Sequence, residues 1–287
     1  MSAAEPPLRT SVVADHIQRF YDTVGWDEAD DGLPEDAKMF VDLRPTSQAY
    51  VEAARRRVQR HIPAEGGERY LDAGSGPVQF REYAAYSRNF DKRYCVDFSQ
   101  AALDSAKRRL GDHGEYVLAS LLDLPFPDNH FDCTSSLHVL YHIDAKDQLR
   151  AMRELLRVTR PGQPIIIVYG NPNGVNLFTH RNLSRVHRVL RRLQGKPRDP
   201  SIVTASGKAS PLYAFRYPLR WWRQFETVAS VEIHPWRSLT VDDMKLLVPG
   251  TPFGERMLAW LFKAEDRLPW LANQLGAYPM IVLKKRG

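Results

Sequence analysis

Two cysteines in 287 residues exclude a disulfide framework of the kind that staples small secreted domains. Cys95 and Cys133 both fall in stretches of strand character and read as buried free thiols. No apolar run approaches the roughly 18 residues that a membrane span requires. The opening Met1-Ser2-Ala3-Ala4-Glu5-Pro6-Pro7 has no charged region leading into an apolar core, so no signal peptide is read. These absences set the expectation of a cytoplasmic protein. His113, His130, His180, His187 and His234 show no ligand spacing, so no metal site is expected. Internal repeats and low-complexity tracts are also lacking. The hydrophobic fraction of 43% suits an ordinary globular chain of one large or two small domains.

Acidic residues are nearly missing from one stretch. Between Val175 and Phe225 the arginines and lysines run from Arg181 through Arg188, Arg192, Lys196 and Lys208 to Arg223, and Asp199 is the lone acid. The formal charge of +6 is therefore concentrated there, and the rest of the chain is net acidic. Three readings fit: a solvated helix face, a surface that gathers an anionic small molecule, or a track for nucleic-acid phosphates. Trp221 and Trp222, beside Arg220 and Arg223, are able to stack bases or sugars, or to pack in a core. No nucleic-acid module accompanies them, so a small anionic partner ranks above nucleic acid.

Periodicity places helices at 12–23 and 46–61, the second capped by Thr46 or Ser47. The acidic stretch 27–36, with Gly32 and Pro34, reads as a loop. Arg55-Arg56-Arg57 reads as a solvated helix face. Strands then alternate with helices: strand 69–72, helix 79–87, strand 93–97, helix 99–110, strands 116–119 and 131–137, helix 145–158, strand 164–168. That rhythm predicts a doubly wound, mostly parallel α/β sheet covered on both faces. After Tyr169-Gly170-Asn171-Pro172 the rhythm breaks into a basic helix at 181–193, a loop at 195–211 and the tryptophan segment. A strand at 230–235, a helix at 255–268 and a strand at 278–284 close the chain. The expected organisation is a helical cap over 1–65, a core over 66–172, a basic insertion or lid over 173–227, and two strands with one helix over 228–287 that complete seven strands.

Within the core, Tyr70-Leu71-Asp72-Ala73-Gly74-Ser75-Gly76-Pro77 reads as strand, glycine turn, helix start. Small residues there let a ligand approach the main chain, and strand–glycine turn–helix is how doubly wound folds hold nucleotide-like groups. Asp97 follows about 20 residues later, where such folds keep a ribose-binding acid. A dinucleotide site wants a third glycine, but that position is Gln79. Asp72 instead suits a cationic or amine-bearing ligand. Further along come Leu124-Pro125-Phe126-Pro127-Asp128-Asn129-His130-Phe131-Asp132, Ser136-Leu137-His138-Val139-Leu140-Tyr141-His142-Ile143 and Arg153-Glu154-Leu155-Leu156-Arg157-Val158-Thr159-Arg160-Pro161-Gly162. Taken in order with Asp72-x-Gly74-x-Gly76 and Asp97, the set resembles the small-molecule branch of the class I S-adenosylmethionine-dependent methyltransferases.

The resemblance implies a Rossmann-like fold, S-adenosylmethionine as cofactor and methyl transfer to a small molecule, with oxygen the expected acceptor atom. It implies that Ala73, Gly74, Ser75 and Gly76 meet the methionine portion, and that Asp72 lies near its ammonium. Asp97 is implied to hold the ribose, and Phe98 to pack on adenine. Ser120 and Leu121 stand where the family often keeps an adenine-binding acid, and Leu137 completes the set. Tyr21 resembles an amino-terminal tyrosine that closes over the cofactor. Val78 replaces a frequent third glycine. An oxygen acceptor must lose a proton, and histidine is the commonest base near neutral pH. His138, where the fourth strand opens toward the methyl, is the first candidate base, and His142 the second. Two alternatives stay open: a nucleic-acid methyltransferase that uses the arginine segment, and a cofactor-binding protein without turnover.

Overall fold

The computed structural model describes residues 41–174 and 213–287. The helix and loop expected before residue 41, with Tyr21, and most of the basic insertion lie outside the described residues.

Seven strands form one sheet in the order β3-β2-β1-β4-β5-β7-β6. They are β1 (Gly67–Ala73), β2 (Phe90–Asp97), β3 (Gly114–Leu118), β4 (Cys133–Leu137), β5 (Pro164–Val168), β6 (Ala229–Arg237) and β7 (Tyr278–Lys285). The first five run parallel; β7 is antiparallel to both β5 and β6. The register sets Leu71 beside Tyr94 and Thr134, and Ile166 beside Ser135 and Val282. The helices are α1 (Pro45–Gln59), α2 (Arg81–Ala85), α3 (Gln100–Leu110), α4 (Gln148–Val158), α5 (Val241–Leu247), α6 (Pro252–Arg267) and α7 (Pro269–Leu275). None is long and apolar enough to cross a membrane.

Side chains of a strand alternate between faces, and β5 shows what this requires when both faces are covered. Ile165 and Ile167 join Leu71, Ala73, Val96 and the α4 residues Ala151, Met152 and Leu155 in one core. Ile166 and Val168 join Tyr70, Cys133, Met280 and the α1 residues Ala54 and Val58 in the other. A strand buried on both sides has to be apolar throughout, which is why Ile165-Ile166-Ile167-Val168 could be read without a partner. Cys95 and Cys133 are buried free thiols, and burial pushes the Cys95 thiol up to about 12.

Three expectations need correction. Neither Thr46 nor Ser47 caps α1: Pro45 occupies its first turn and no side chain caps it. Ser47 Oγ instead donates to Asp42 Oδ2 at 2.5 Å, and Arg44 bonds the same carboxylate. The arginine run is not a solvated face, since Arg55 and Arg57 are buried. Arg57 donates to Glu265 at 2.6 Å, Asp266 at 2.8 Å and the Trp236 carbonyl at 2.9 Å, with its guanidinium 3.8 Å from the Phe262 ring centroid. Acids two hundred residues away in sequence supply the partners that a local reading lacks. Finally, three helices separate β6 from β7 rather than one. α5 and α7 are seven residues each, too short to show a clear apolar period.

Candidate active site

The chain leaves β1 for β2 on one side, and β4 lies on β1's other side. That reversal opens a crevice at the carboxyl ends of β1 and β4, the general place for ligands in such sheets. Tyr21 apart, which lies outside the described residues, the residues singled out from the sequence gather there from several strands.

The turn after β1 is built for close approach. Gly74 has φ +76°, and a Cβ on it would lie 2.4 Å from Val139 Cγ2 in the turn after β4. Only glycine satisfies both the backbone and the contact. The Gly74 and Ser75 amides donate to the Val96 carbonyl at 2.8 and 3.1 Å, pinning the turn to β2. Val78 also takes a left-handed φ of 50°, uncommon for a β-branched residue. It is fixed by packing on Cys95, Leu103 and Ala106.

Asp97, the last residue of β2, is buried, and burial raises its carboxyl to about 6 despite its amide partners. The Gly76 amide donates to Oδ2 at 2.9 Å and the Ser99 amide to Oδ1 at 3.0 Å. A carboxylate has about four acceptor positions, and the Phe98 amide takes a third, so a position remains for a ribose hydroxyl. Phe98, next in the chain, is half-buried, as are Ser75 and Ser120, while Leu121 is buried. This donor and acceptor set fits a nucleoside with a free ribose hydroxyl. Ser120 Oγ accepts the Leu122 amide at 3.2 Å, which shapes the turn after β3. Asp72 is committed within the protein: Arg93 Nη2 pairs with its Oδ2, and Ser135 Oγ donates to Oδ1 at 3.1 Å.

The other side of the crevice follows half-buried Leu137. His138 has φ +64°, a strained conformation for a non-glycine residue. Its amide donates to the Val168 carbonyl at 3.0 Å, and its Nδ1 lies 3.0 Å from the Tyr141 hydroxyl. Its ring sits 4.6 Å from that of Trp236 and 5.2 Å from that of Tyr278. Burial, and then the charges of Arg237, His142, Arg55 and Arg216, hold it well below the ordinary histidine range, so it is neutral at pH 7. Neutral imidazole is the form that can accept a proton.

His142 is arranged differently. Its Nδ1 donates to the Tyr213 carbonyl at 2.7 Å, and burial holds it down at about 4. The segment following residue 212 is stitched on at several points. Phe215 N donates to Tyr141 O at 2.8 Å, Gln148 Nε2 donates to Phe215 O at 2.9 Å, and Tyr217 N donates to the Tyr169 hydroxyl at 3.1 Å. Trp222 is fully buried against Tyr169, and Trp221 stacks on Tyr217 at 4.8 Å. The tryptophans therefore pack this segment down and are not an open stacking platform.

Sequence reasoning missed Trp236 and Tyr278, whose rings lie against His138, and Arg237 and Arg55, whose charges act on it. Their only signal lies in pairing: Arg237 ends β6 opposite Tyr278, which begins β7. No local motif marks that register.

Part of the chain is similar to known proteins in sequence, and its fold is shared more widely. Residues 71–167 match the family described as methyltransferase domain. The ubiquinone/menaquinone biosynthesis C-methyltransferase UbiE of Vibrio cholerae is 33% identical over 113 residues, covering 37% of this chain and 42% of that one. The UbiE of Pseudomonas putida is 39% identical over 110 residues, covering 36% and 41%. The chain thus spans about two fifths of the length of these curated relatives. Among solved structures, Haemonchus contortus phosphoethanolamine N-methyltransferase 2 in complex with S-adenosyl-L-methionine aligns with a TM-score of 0.55. Its identity is 16%, over 94% of this chain and 60% of that one. At that identity the likeness is one of fold.

Proposed function

The chain belongs to the class I S-adenosylmethionine-dependent methyltransferases, and from that premise we propose that it methylates an oxygen of a small-molecule acceptor, with His138 as the base. The cofactor supplies a methyl group already activated on a sulfonium. What remains for the protein is to hold the nucleoside, align the acceptor and remove a proton.

The main chain at Ala73, Gly74, Ser75 and Gly76 lies against the methionine portion in this reading. Asp97 accepts a ribose hydroxyl, Phe98 packs on the adenine, and Ser120 with the main chain at Leu121 borders its edge. Asp72 contributes through the ion pair that fixes Arg93 beneath the turn, and Leu137 borders the crevice from β4. The observation that carries the chemistry is His138: a neutral, strained histidine at the crevice edge, whose neighbour Val139 touches Gly74. An acceptor hydroxyl beside it can give up its proton as the methyl arrives. His142 acts as a strut that holds the Tyr213 segment against the β4 turn.

A second reading has one specific support. The curated relatives are named C-methyltransferases, and a carbon beside a phenolic oxygen also becomes a nucleophile once a proton is lost. The same base serves both, so the two differ in which acceptor atom faces the methyl. A nucleic-acid acceptor is disfavoured by the packing of Trp221 and Trp222.

The cofactor assignment is tested by calorimetric titration of S-adenosylhomocysteine into wild type, Gly74→Arg and Asp97→Ala. Binding is expected in the wild type and lost in both variants; equal affinity in all three overturns it. The acceptor atom is read by incubating metabolite extract with methyl-labelled cofactor and recording the carbon chemical shift of the labelled product. Absence of any labelled product would leave a binding protein without turnover.

A further inference from the structure

Arg237 ends β6 at the same edge of the sheet as His138. It is 4% exposed, and its Nε is buried with no hydrogen-bond partner. No ion pair or side-chain hydrogen bond to its guanidinium is found among the described residues. What it has are two aromatic faces: its guanidinium carbon lies 5.1 Å from the ring centroids of both Trp236 and Tyr278. Both of those rings also lie against His138. A register shift between Pro235 and Arg237 explains how two consecutive residues both reach this spot, since a bulge re-aims a side chain.

The nearby acids are committed elsewhere. Glu265 accepts from Arg57, Tyr50 and Ser238, and Asp266 pairs with Arg57. Glu82 lies 3.6 Å from Arg55 and 3.8 Å from Arg56, and Asp72 pairs with Arg93. Arg55 is itself buried, 3.3 Å over the Phe80 ring, and only loosely paired. A desolvated cation without a counter-ion is among the most costly arrangements in a protein. Aromatic faces offset part of that cost, but an apolar side chain of similar length would pack there without it. A charge kept under those terms in a ligand crevice points to a ligand that supplies the missing partner.

We infer that Arg237 binds an anionic oxygen group on the methyl acceptor, a carboxylate or a phosphate, and so selects acidic acceptors. The inference rests on the methyltransferase reading above. It needs none of the residues between 175 and 212. The guanidinium fork suits either anion through paired N–H···O bonds. Bound there, the anion would also offset the positive field around His138 and strengthen it as a base.

The test uses the full chain as wild type, Arg237→Met and Arg237→Lys. Each is titrated calorimetrically with benzoate, with inorganic phosphate and with chloride at constant ionic strength, with and without S-adenosylhomocysteine. The wild type is expected to bind benzoate or phosphate, but not chloride. Arg237→Met should bind that anion at least about tenfold more weakly, and Arg237→Lys should fall between. Which anion binds separates a carboxylate acceptor from a phosphate one. Melting temperature gives the second readout. Removing an unpaired buried charge should leave ligand-free Arg237→Met as stable as the wild type, or more stable by about 2 °C or more. A methionine variant that melts lower and binds the anion as the wild type does would make Arg237 a structural cation and overturn the inference. So would a wild type that binds neither anion. Failure of S-adenosylhomocysteine to bind the wild type would instead undo the methyltransferase reading, while the anion titrations without it still report on Arg237.

Discussion

The two sides of the crevice are made in different ways. The β1–β2 side is mostly main chain: a glycine turn, two amides on a carbonyl, and a carboxylate that collects amides. The β4–β5 side is mostly side chain: an imidazole amid Trp236, Tyr278, Tyr141 and arginines drawn from α1, β6 and the segment after residue 212. Main-chain sites depend on a short run of small residues and tolerate little variation in it. Side-chain sites depend on elements far apart in sequence and can be rebuilt for each acceptor. In the proposed reading the first side holds the cofactor, and the second meets the acceptor.

The sharpest way to separate the two sides is His138→Asn. Asparagine accepts the left-handed backbone, so the turn should persist while the base is lost. The expected result is a fall in kcat of about 10²–10⁴-fold with S-adenosylhomocysteine affinity little changed. A variant that loses cofactor affinity as much as turnover would show that the sides are not independent.

Next in size is the buried Arg57–Glu265 pair, 2.6 Å long, which also holds the Trp236 carbonyl. Leaving one buried charge unpaired costs about 3–5 kcal/mol. Glu265→Gln leaves Arg57 only the part-exposed Asp266 as counter-ion, so stability to denaturant should fall by up to that order, and anion binding at Arg237 should weaken as the Arg57 bond to the Trp236 carbonyl loosens. Cofactor affinity of the folded fraction should hold.

How much of this was legible in the sequence follows the same division. Tyr70 to Gly76, Asp97 and the strand Ile165 to Val168 could be read because each states its environment locally. The glycines carry the turn, the acid ends a strand, and unbroken apolar residues mark burial on both faces. Arg55 and Arg57 could not be read, because an arginine on a helix is solvated by default and their acceptors lie on α2 and α6. Arg237 was hidden for the same reason. Nothing in Pro235-Trp236-Arg237 announces a bulge, or that Tyr278 will stand opposite. Asp72 was legible as an acid in the right place but not as the partner of Arg93, since the two meet only once β1 and β2 pair.

Acid should act on the two sides with opposite sign. Asp97 titrates near 6 in the folded protein and near the ordinary carboxylate value of 3.8 when unfolded. Its ionised form is therefore destabilising above about pH 6, and folding stability from this group rises as pH falls from 6 toward 4. His142 titrates at about 4 when folded against 6.5 unfolded. Its contribution falls over nearly the same window, because the unfolded chain takes up the proton first. His138, also held low, adds to that loss. For Asp97 and for His142 the change is on the order of 3 kcal/mol. Asp97→Asn should remove the first effect and make acid unfolding steeper, while His142→Gln should make it shallower. S-adenosylhomocysteine affinity should drop below about pH 6 in the wild type as Asp97 loses its charge. An affinity flat from pH 7 to 5 would mean that the ribose does not rest on Asp97.

The smallest effect concerns the one place where the main-chain side departs from small residues. Val78 is buried against Leu103 and Cys95 at φ 50°. A left-handed backbone costs an L-residue about 1–2 kcal/mol, a cost that glycine escapes. At an ordinary site glycine is worse than alanine by about 0.5–1 kcal/mol. Here the order should level or reverse: Val78→Ala loses packing and keeps the strain, whereas Val78→Gly loses slightly more packing and sheds it. Chemical denaturation of the two variants, side by side, should therefore find glycine at least as stable as alanine. Alanine ahead by the usual margin would mean that the turn relaxes once the valine is gone, and that its shape is imposed by side-chain packing from α3 rather than by the main chain itself.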